Sequence, residues 1–142
     1  MNKRTRERLD AVRDAIRAHG LRATPARIAV LDTLRRAGVP LSLAEAARRL
    51  ARREHDRATI FRNLATLTRV RLVRRVDPGD RIWRFVCSED ISAWQADFVC
   101  TTCGTIQALE SVTLDVAMAG APRAIMRQEI ELHVHGRCDR CA

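Results

Sequence analysis

Four of the five cysteines stand as two knuckles, Cys100-x-x-Cys103 and Cys138-x-x-Cys141. Two such pairs can set four thiolates in a tetrahedron around one Zn²⁺ at ~2.3 Å. Two disulfides or a redox dithiol would draw on the same residues. The metal reading is preferred because cytoplasmic thiols stay reduced, so paired cysteines there more often hold a metal. Four protein ligands leave no open position, so the zinc, one per chain, has a structural role. Each knuckle can end a strand, and the ion would then tie the C-terminal tail to the centre of its domain. Cys87 is left over. It is a small apolar filler, a member of a second metal site, or an oxidisable thiol. His133 and His135, two apart on an extended run, point to one face beside the second knuckle. They are either structural or metal ligands.

A different chemistry resides in Arg57 to Leu72, RATIFRNLATLTRVRL. Ile60, Leu64 and Leu67 form one apolar helical stripe. Thr59, Arg62, Thr66 and Arg69 recur on another face, which carries two guanidinium groups, two hydroxyls and no acid. Guanidinium forks pair with guanine edges and phosphates, and hydroxyls adapt to either donors or acceptors. A solvated helix face would also carry arginines, so the rest of the chain must decide.

Charge decides it. Residues 1–86 hold 22 Lys and Arg against 9 Asp and Glu, a net +13, whereas residues 87–142 hold 4 against 8, a net −4. A basic half joined to a mildly acidic half points to a polyanion as the partner of the first half only. No apolar run approaches the ~18 residues that span a bilayer. The basic N-terminus is not followed by an apolar core and a cleavage site. The expectation is a cytoplasmic protein with no membrane partner. No nucleophile stands with a base and a pocket, so an enzyme is not expected.

The elements that position these residues follow from local signals. Leu9, Val12 and Ile16 mark a helix over 4–19 with Gly20 as its stop. Thr24-Pro25 reads as an N-cap followed by proline at the first position of a second helix, with Ile28, Leu31 and Leu34 inward. Ser42 and Glu45 have capping-box spacing and open a third. After the fourth, 72–76 and 81–86 flank Asp77-Pro-Gly-Asp80 and read as a hairpin. Helices followed at once by a hairpin make a winged helix-turn-helix, whose last helix enters the major groove. The wing carries Arg74, Arg75, Arg81 and Arg84, placed to reach phosphates. Farther on, 98–100 and 105–109 are short strand-like runs, Val112, Val116 and Ala119 mark a weak helical face, and 125–134 suits a last strand. The chain thus divides into a winged-helix DNA-binding domain (1–86), a hinge (87–96) and a small zinc-stabilised domain (97–142). The last has too little core to fold securely without a metal or a partner chain.

Leu21-Arg-Ala-Thr24-Pro-Ala-Arg27, Ala58-Thr-Ile-Phe-Arg62-Asn-Leu64, Cys100-x-x-Cys103-Gly104 and Gly136-Arg-Cys138-x-x-Cys141 together resemble the ferric-uptake-regulator (Fur) family. The resemblance covers about residues 15–141 and implies an α+β fold: an N-terminal winged helix, a C-terminal α/β dimerisation domain, and a homodimer on palindromic DNA. It implies that Arg27 contacts the DNA backbone and that Thr59, Phe61 and Arg62 contact bases. Phe61 stands where the family has tyrosine, which keeps an apolar contact with the thymine methyl and removes a hydroxyl bond. The family's histidine-rich sensing run is replaced by Trp94-Gln95-Ala96-Asp97, where only Asp97 can coordinate. Asp115 matches an acidic ligand, Ile130 stands where a ligand histidine is usual, and Cys87 resembles a ligand of the zinc-sensing (Zur) branch.

The preferred reading is a Fur-like DNA-binding regulator, a repressor, with structural zinc and a lost or rebuilt regulatory metal site. The alternative is a working zinc or iron sensor that uses Cys87, Asp97 and His133 or His135. From another class, a zinc-ribbon protein-interaction module would leave the basic wing unexplained.

Overall fold

A computed structural model of the chain describes residues 1–51, 55–88, 95–109, 112–113, 120, 122–126 and 130–142. The chain separates into two compact units, Met1–Glu89 and Asp90–Ala142.

In the first unit, helix α1 spans Lys3–Ala18 and α2 Pro25–Ala37. Thr24 caps α2 through its hydroxyl, which accepts from the Arg27 amide, and Gly38 ends it at φ 63°, where a side chain would be strained. Helix α3 (Leu43–Leu50) begins in a complete capping box. The Glu45 amide donates to Ser42 Oγ at 3.2 Å and the Ser42 amide to Glu45 Oε2 at 2.7 Å. That backbone donor is the main reason the Glu45 carboxyl lies below its ordinary value. Helix α4 (Arg57–Arg69) is capped by Asp56, whose carboxylate accepts from the Thr59 amide at 2.8 Å.

Strands β2 (Val73–Val76) and β3 (Arg84–Cys87) form the hairpin. A third strand, β1 (Leu41–Ser42), pairs with β3 and gives the order β1-β3-β2. Two residues show no periodicity, so nothing local announces β1; it exists because Phe85 and Arg84 offer it partners. The hairpin is narrower than expected. Arg81, Ile82 and Trp83 belong to the turn, and Cys87 closes β3 opposite Val73. Val12, Ile16, Leu31, Leu34, Leu50, Ile60, Leu64 and Leu67 form the core, each at most 1 % exposed. Apart from Leu50, which ends α3, each comes from an apolar stripe read in the sequence.

One polar pair sits inside that core. Asp32 is 1 % exposed and accepts from Arg8 Nε at 2.7 Å, so it joins α2 to α1. Arg8→Ala would leave a buried carboxylate without its cation and should cost about 3 kcal/mol in urea unfolding. Asp32→Ala should cost less, because 37 % of the Arg8 side chain is exposed and the freed guanidinium reaches water. Equal, near-zero losses would show the pair to be inessential.

In the second unit, β4 (Gln95–Cys100) lies between β5 (Ile106–Leu109), which is antiparallel to it, and β6 (Glu131–Gly136), which is parallel. Strand β4 starts ahead of the expected 98–100 run; an aspartate is a poor strand former, yet Asp97 lies in the ladder, 1 % exposed. The expected strand over 125–134 is corrected. Arg123–Met126 is a short helix, α5, and β6 begins at Glu131. Parallel strands need a long crossover, usually helical, and that connection claims Ile125. The expected helix over 112–120 lies mostly outside the described residues, and so do Trp94 and Asp115. Among the described residues no helix is long and apolar enough to cross a membrane.

Candidate metal centre and nucleic-acid interface

Because β4 and β6 run parallel with Cys100 opposite Gly136, both knuckles emerge at the same end of the sheet. The first is closed by the Gly104 amide on the Cys100 carbonyl (2.9 Å), with Gly104 at φ 71°. The second is closed by the Cys141 amide on the Cys138 carbonyl (2.8 Å). The Thr101 amide ties them together on the Gly136 carbonyl at 2.8 Å. The sulfur atoms of Cys100, Cys103, Cys138 and Cys141 all lie within 4.8 Å of one another. Cys103 Sγ and Cys138 Sγ are 3.7 Å apart. That is too long for a disulfide and close to the ~3.8 Å edge of a tetrahedron built on ~2.3 Å bonds.

The electrostatics suit a cation. Cys100 Sγ accepts from the amides of Cys103 (3.5 Å) and Cys138 (3.4 Å). These two donors, Cys103 first, pull its thiol down to about 5. Cys103 is also lowered, chiefly by Thr105, whose hydroxyl lies 3.2 Å away and accepts from Arg140 at 3.4 Å. Cys141 is pushed up to about 12 by the neighbouring sulfurs, Cys138 and then Cys103. Four thiolates cannot ionise together unaided, and a divalent ion supplies the missing charge. The donor set fits zinc, with Thr105 and Arg140 as outer supports.

Among the described residues these four cysteines are the one group of three or more ligands gathered closely enough for an ion. Asp97 and His133 are register neighbours on β4 and β6, and His135 lies two residues farther along β6, exposed, opposite Val99. They do not join into such a group. Cys87 belongs to the first unit, where it packs against the core and its Sγ lies 3.6 Å from the Leu72 carbonyl oxygen.

The outer face of α4 exposes Phe61 (52 %), Arg62 and Arg69, while Thr59 and Thr66 are half-buried. Arg62 donates to Thr59 Oγ1 at 3.2 Å, which holds the guanidinium along the helix. Thr66 donates its hydroxyl proton to the Arg62 carbonyl at 2.9 Å, so toward a base it is an acceptor only. Arg27 is half-buried at the start of α2, with Nη1 on the Arg22 carbonyl at 2.6 Å. In the wing, Arg74 is half-buried and Arg75 and Arg81 are exposed, the latter at φ 64°. Arg84 is engaged by Asp80 at 2.9 and 3.0 Å, which also lowers the Asp80 carboxyl.

Two side-chain pairings escaped the sequence reading. Asp32 lies four residues beyond Ile28, on the apolar stripe of α2, and an acid there signals a buried partner. The stack of Arg75 on Trp83 left no such mark.

A search of curated proteins returns no match. Among solved structures, the chain is similar to holo XcZur (25 % identity, TM-score 0.65, covering 94 % of this chain and 95 % of that one). It is similar also to a zinc uptake regulator complexed with zinc and DNA (20 %, 0.64, 99 % and 96 %). The ferric uptake regulator of Helicobacter pylori, described as having three functional metal-binding sites, matches as well (17 %, 0.65, 96 % and 92 %). At their low identities the last two speak for the fold alone. The sequence itself matches the model of the ferric uptake regulator family over residues 18–136, and the chain, with its winged helix and four-cysteine centre, belongs to that family.

Proposed function

We propose that the protein is a sequence-specific transcriptional repressor that binds a palindromic operator as a homodimer in the cytoplasm. The observation that carries this reading is the exposed face of α4, where Phe61, Arg62 and Arg69 stand without an acid among them. Arg62 reads a base edge, Phe61 meets a thymine methyl, and Thr59 and Thr66 accept from neighbouring donors. Arg27, Arg69, Arg74 and Arg81 set the register on phosphates. One zinc per chain, held by Cys100, Cys103, Cys138 and Cys141, keeps the second unit folded so that it can pair two copies.

The regulatory metal site of the family is lost or rebuilt in this chain. Support comes from the sequence, in which Ile130 takes a ligand position and the run before the first knuckle offers Asp97 alone. Asp115 lies outside the described residues. Adding a second equivalent of Zn²⁺, Fe²⁺ or Mn²⁺ to the zinc-loaded protein should leave operator affinity unchanged within about twofold. A gain of about tenfold, ~1.4 kcal/mol, would instead support a working sensor.

The test of DNA reading is Arg62→Ala. It should cost about 1–3 kcal/mol on the selected operator and much less on random duplex. Equal losses on both would reduce Arg62 to a phosphate contact.

A further inference from the structure

The tip of the wing is not a plain row of cations. Ile82 and Trp83 are 51 % and 44 % exposed there, side by side in the basic half of the chain. The Arg75 guanidinium lies over the Trp83 ring, 3.8 Å from its centroid. Arg75 pairs with Phe85 across the ladder, so Trp83 is its diagonal neighbour. The turn around them is braced. The Gly79 amide donates to Asp77 Oδ1 at 2.8 Å and the Ile82 amide to Asp80 Oδ1 at 3.0 Å. Asp80 also engages Arg84. Arg75 has no acidic partner among the described residues, so its charge is presented rather than neutralised, on a flat apolar support.

Phosphate gripping needs cations but gains little from an exposed indole and isoleucine. An exposed apolar patch marks a contact surface, and the surrounding arginines specify a polyanion as the occupant. We infer that the Arg75–Trp83 stack reads the minor groove of A·T-rich duplex flanking the major-groove site of α4. This deepens the DNA-binding reading above and rests on it.

The dimensions agree. Four-residue β2 is ~13 Å long at ~3.3 Å per residue, a length that lets the hairpin reach beyond the groove that α4 enters. The neighbouring minor groove faces the protein half a helical turn away, ~17 Å. A·T tracts narrow that groove and concentrate its negative potential, which draws in an arginine. Guanine places a 2-amino group on the groove floor, where it would meet the guanidinium. Trp83 holds the guanidinium flat and packs along the deoxyribose wall, excluding water from the contact. The wing thereby adds sequence preference outside the positions that α4 touches.

The test uses full-length, zinc-loaded protein and duplexes that this protein selects from a random pool. In the A·T flanks it protects from hydroxyl radicals, adenine is replaced by 2,6-diaminopurine. That base adds the 2-amino group in the minor groove and leaves the major-groove edge of adenine unchanged. Wild type should lose about tenfold in affinity, the scale of one mismatched pair. Trp83→Ala and Arg75→Lys should lose a similar factor on the unmodified duplex and be insensitive to the replacement; both residues are exposed, and matched thermal melts verify folding. An unaffected wild type, or variants that remain as sensitive to the replacement as the wild type, would overturn the inference while leaving DNA binding intact. Absence of salt-dependent duplex binding by the wild type would overturn both.

Discussion

Replacing Cys100 with serine should release the proposed zinc and unfold the second unit while the first stays folded. The physical ground is the difference between the two cores. The first unit buries the apolar faces of four helices and a three-stranded sheet in one cluster. Among the described residues of the second, only Ala96, Val99 and Cys100 are buried and apolar. A unit of this length seldom offsets the entropy of ordering its chain with an apolar core alone, whereas a structural zinc contributes ~10–16 kcal/mol of binding free energy to folding in zinc-finger peptides. Cys100 is the most damaging of the four to lose. It is buried, it ends β4, and its sulfur collects amides from both knuckles. Metal content per chain should fall from one to near zero. Amides of β4 and β6 should then lose hydrogen-exchange protection while those of α2 and α4 keep it, and the dimer should weaken. A zinc-free variant that stays dimeric, with β4 and β6 still protected, would refute the assignment of the metal as the clamp.

Raising salt from 50 to 200 mM weakens operator binding by about 10⁴-fold. Counterion release sets this scale, with a slope of about −0.9 per phosphate neutralised. In the proposed mode of binding, Arg27, Arg69, Arg74 and Arg81 would offer about four phosphate contacts per protomer and about eight per dimer, which gives a slope near −7. Arg84 is left out of that sum because Asp80 already neutralises it. A fluorescence-anisotropy titration at several salt concentrations reads the slope directly. A value shallower than about −2 would mean that the basic half meets something other than DNA. Asp80→Ala should steepen the slope by about one unit per protomer by freeing Arg84; an unchanged slope would show that Arg84 does not reach the backbone.

The sequence by itself determined most features that depend on neighbours along the chain. Helix starts at Thr24 and Ser42 follow from a side-chain oxygen meeting an amide three residues on. The inward faces of α1, α2 and α4 follow from the 3.6-residue repeat. The pairing of Cys100 with Cys103 and of Cys138 with Cys141 follows from knuckle spacing. Only the tertiary structure decided what depends on contacts far apart in sequence. Strand β1 exists because β3 has a free edge for it. Both knuckles lie close enough to share one ion because β6 lies parallel to β4, and that arrangement turns Ile125 from an expected strand into helix α5. Which arginines of the wing are presented was decided by the fold of the turn, which brings Asp80 to Arg84 and Trp83 to Arg75. Arg84 and Arg75 look alike in the sequence, yet Asp80 neutralises one and Trp83 displays the other. Side-chain charge is a property of the residue, whereas its availability is set by whatever packs beside it.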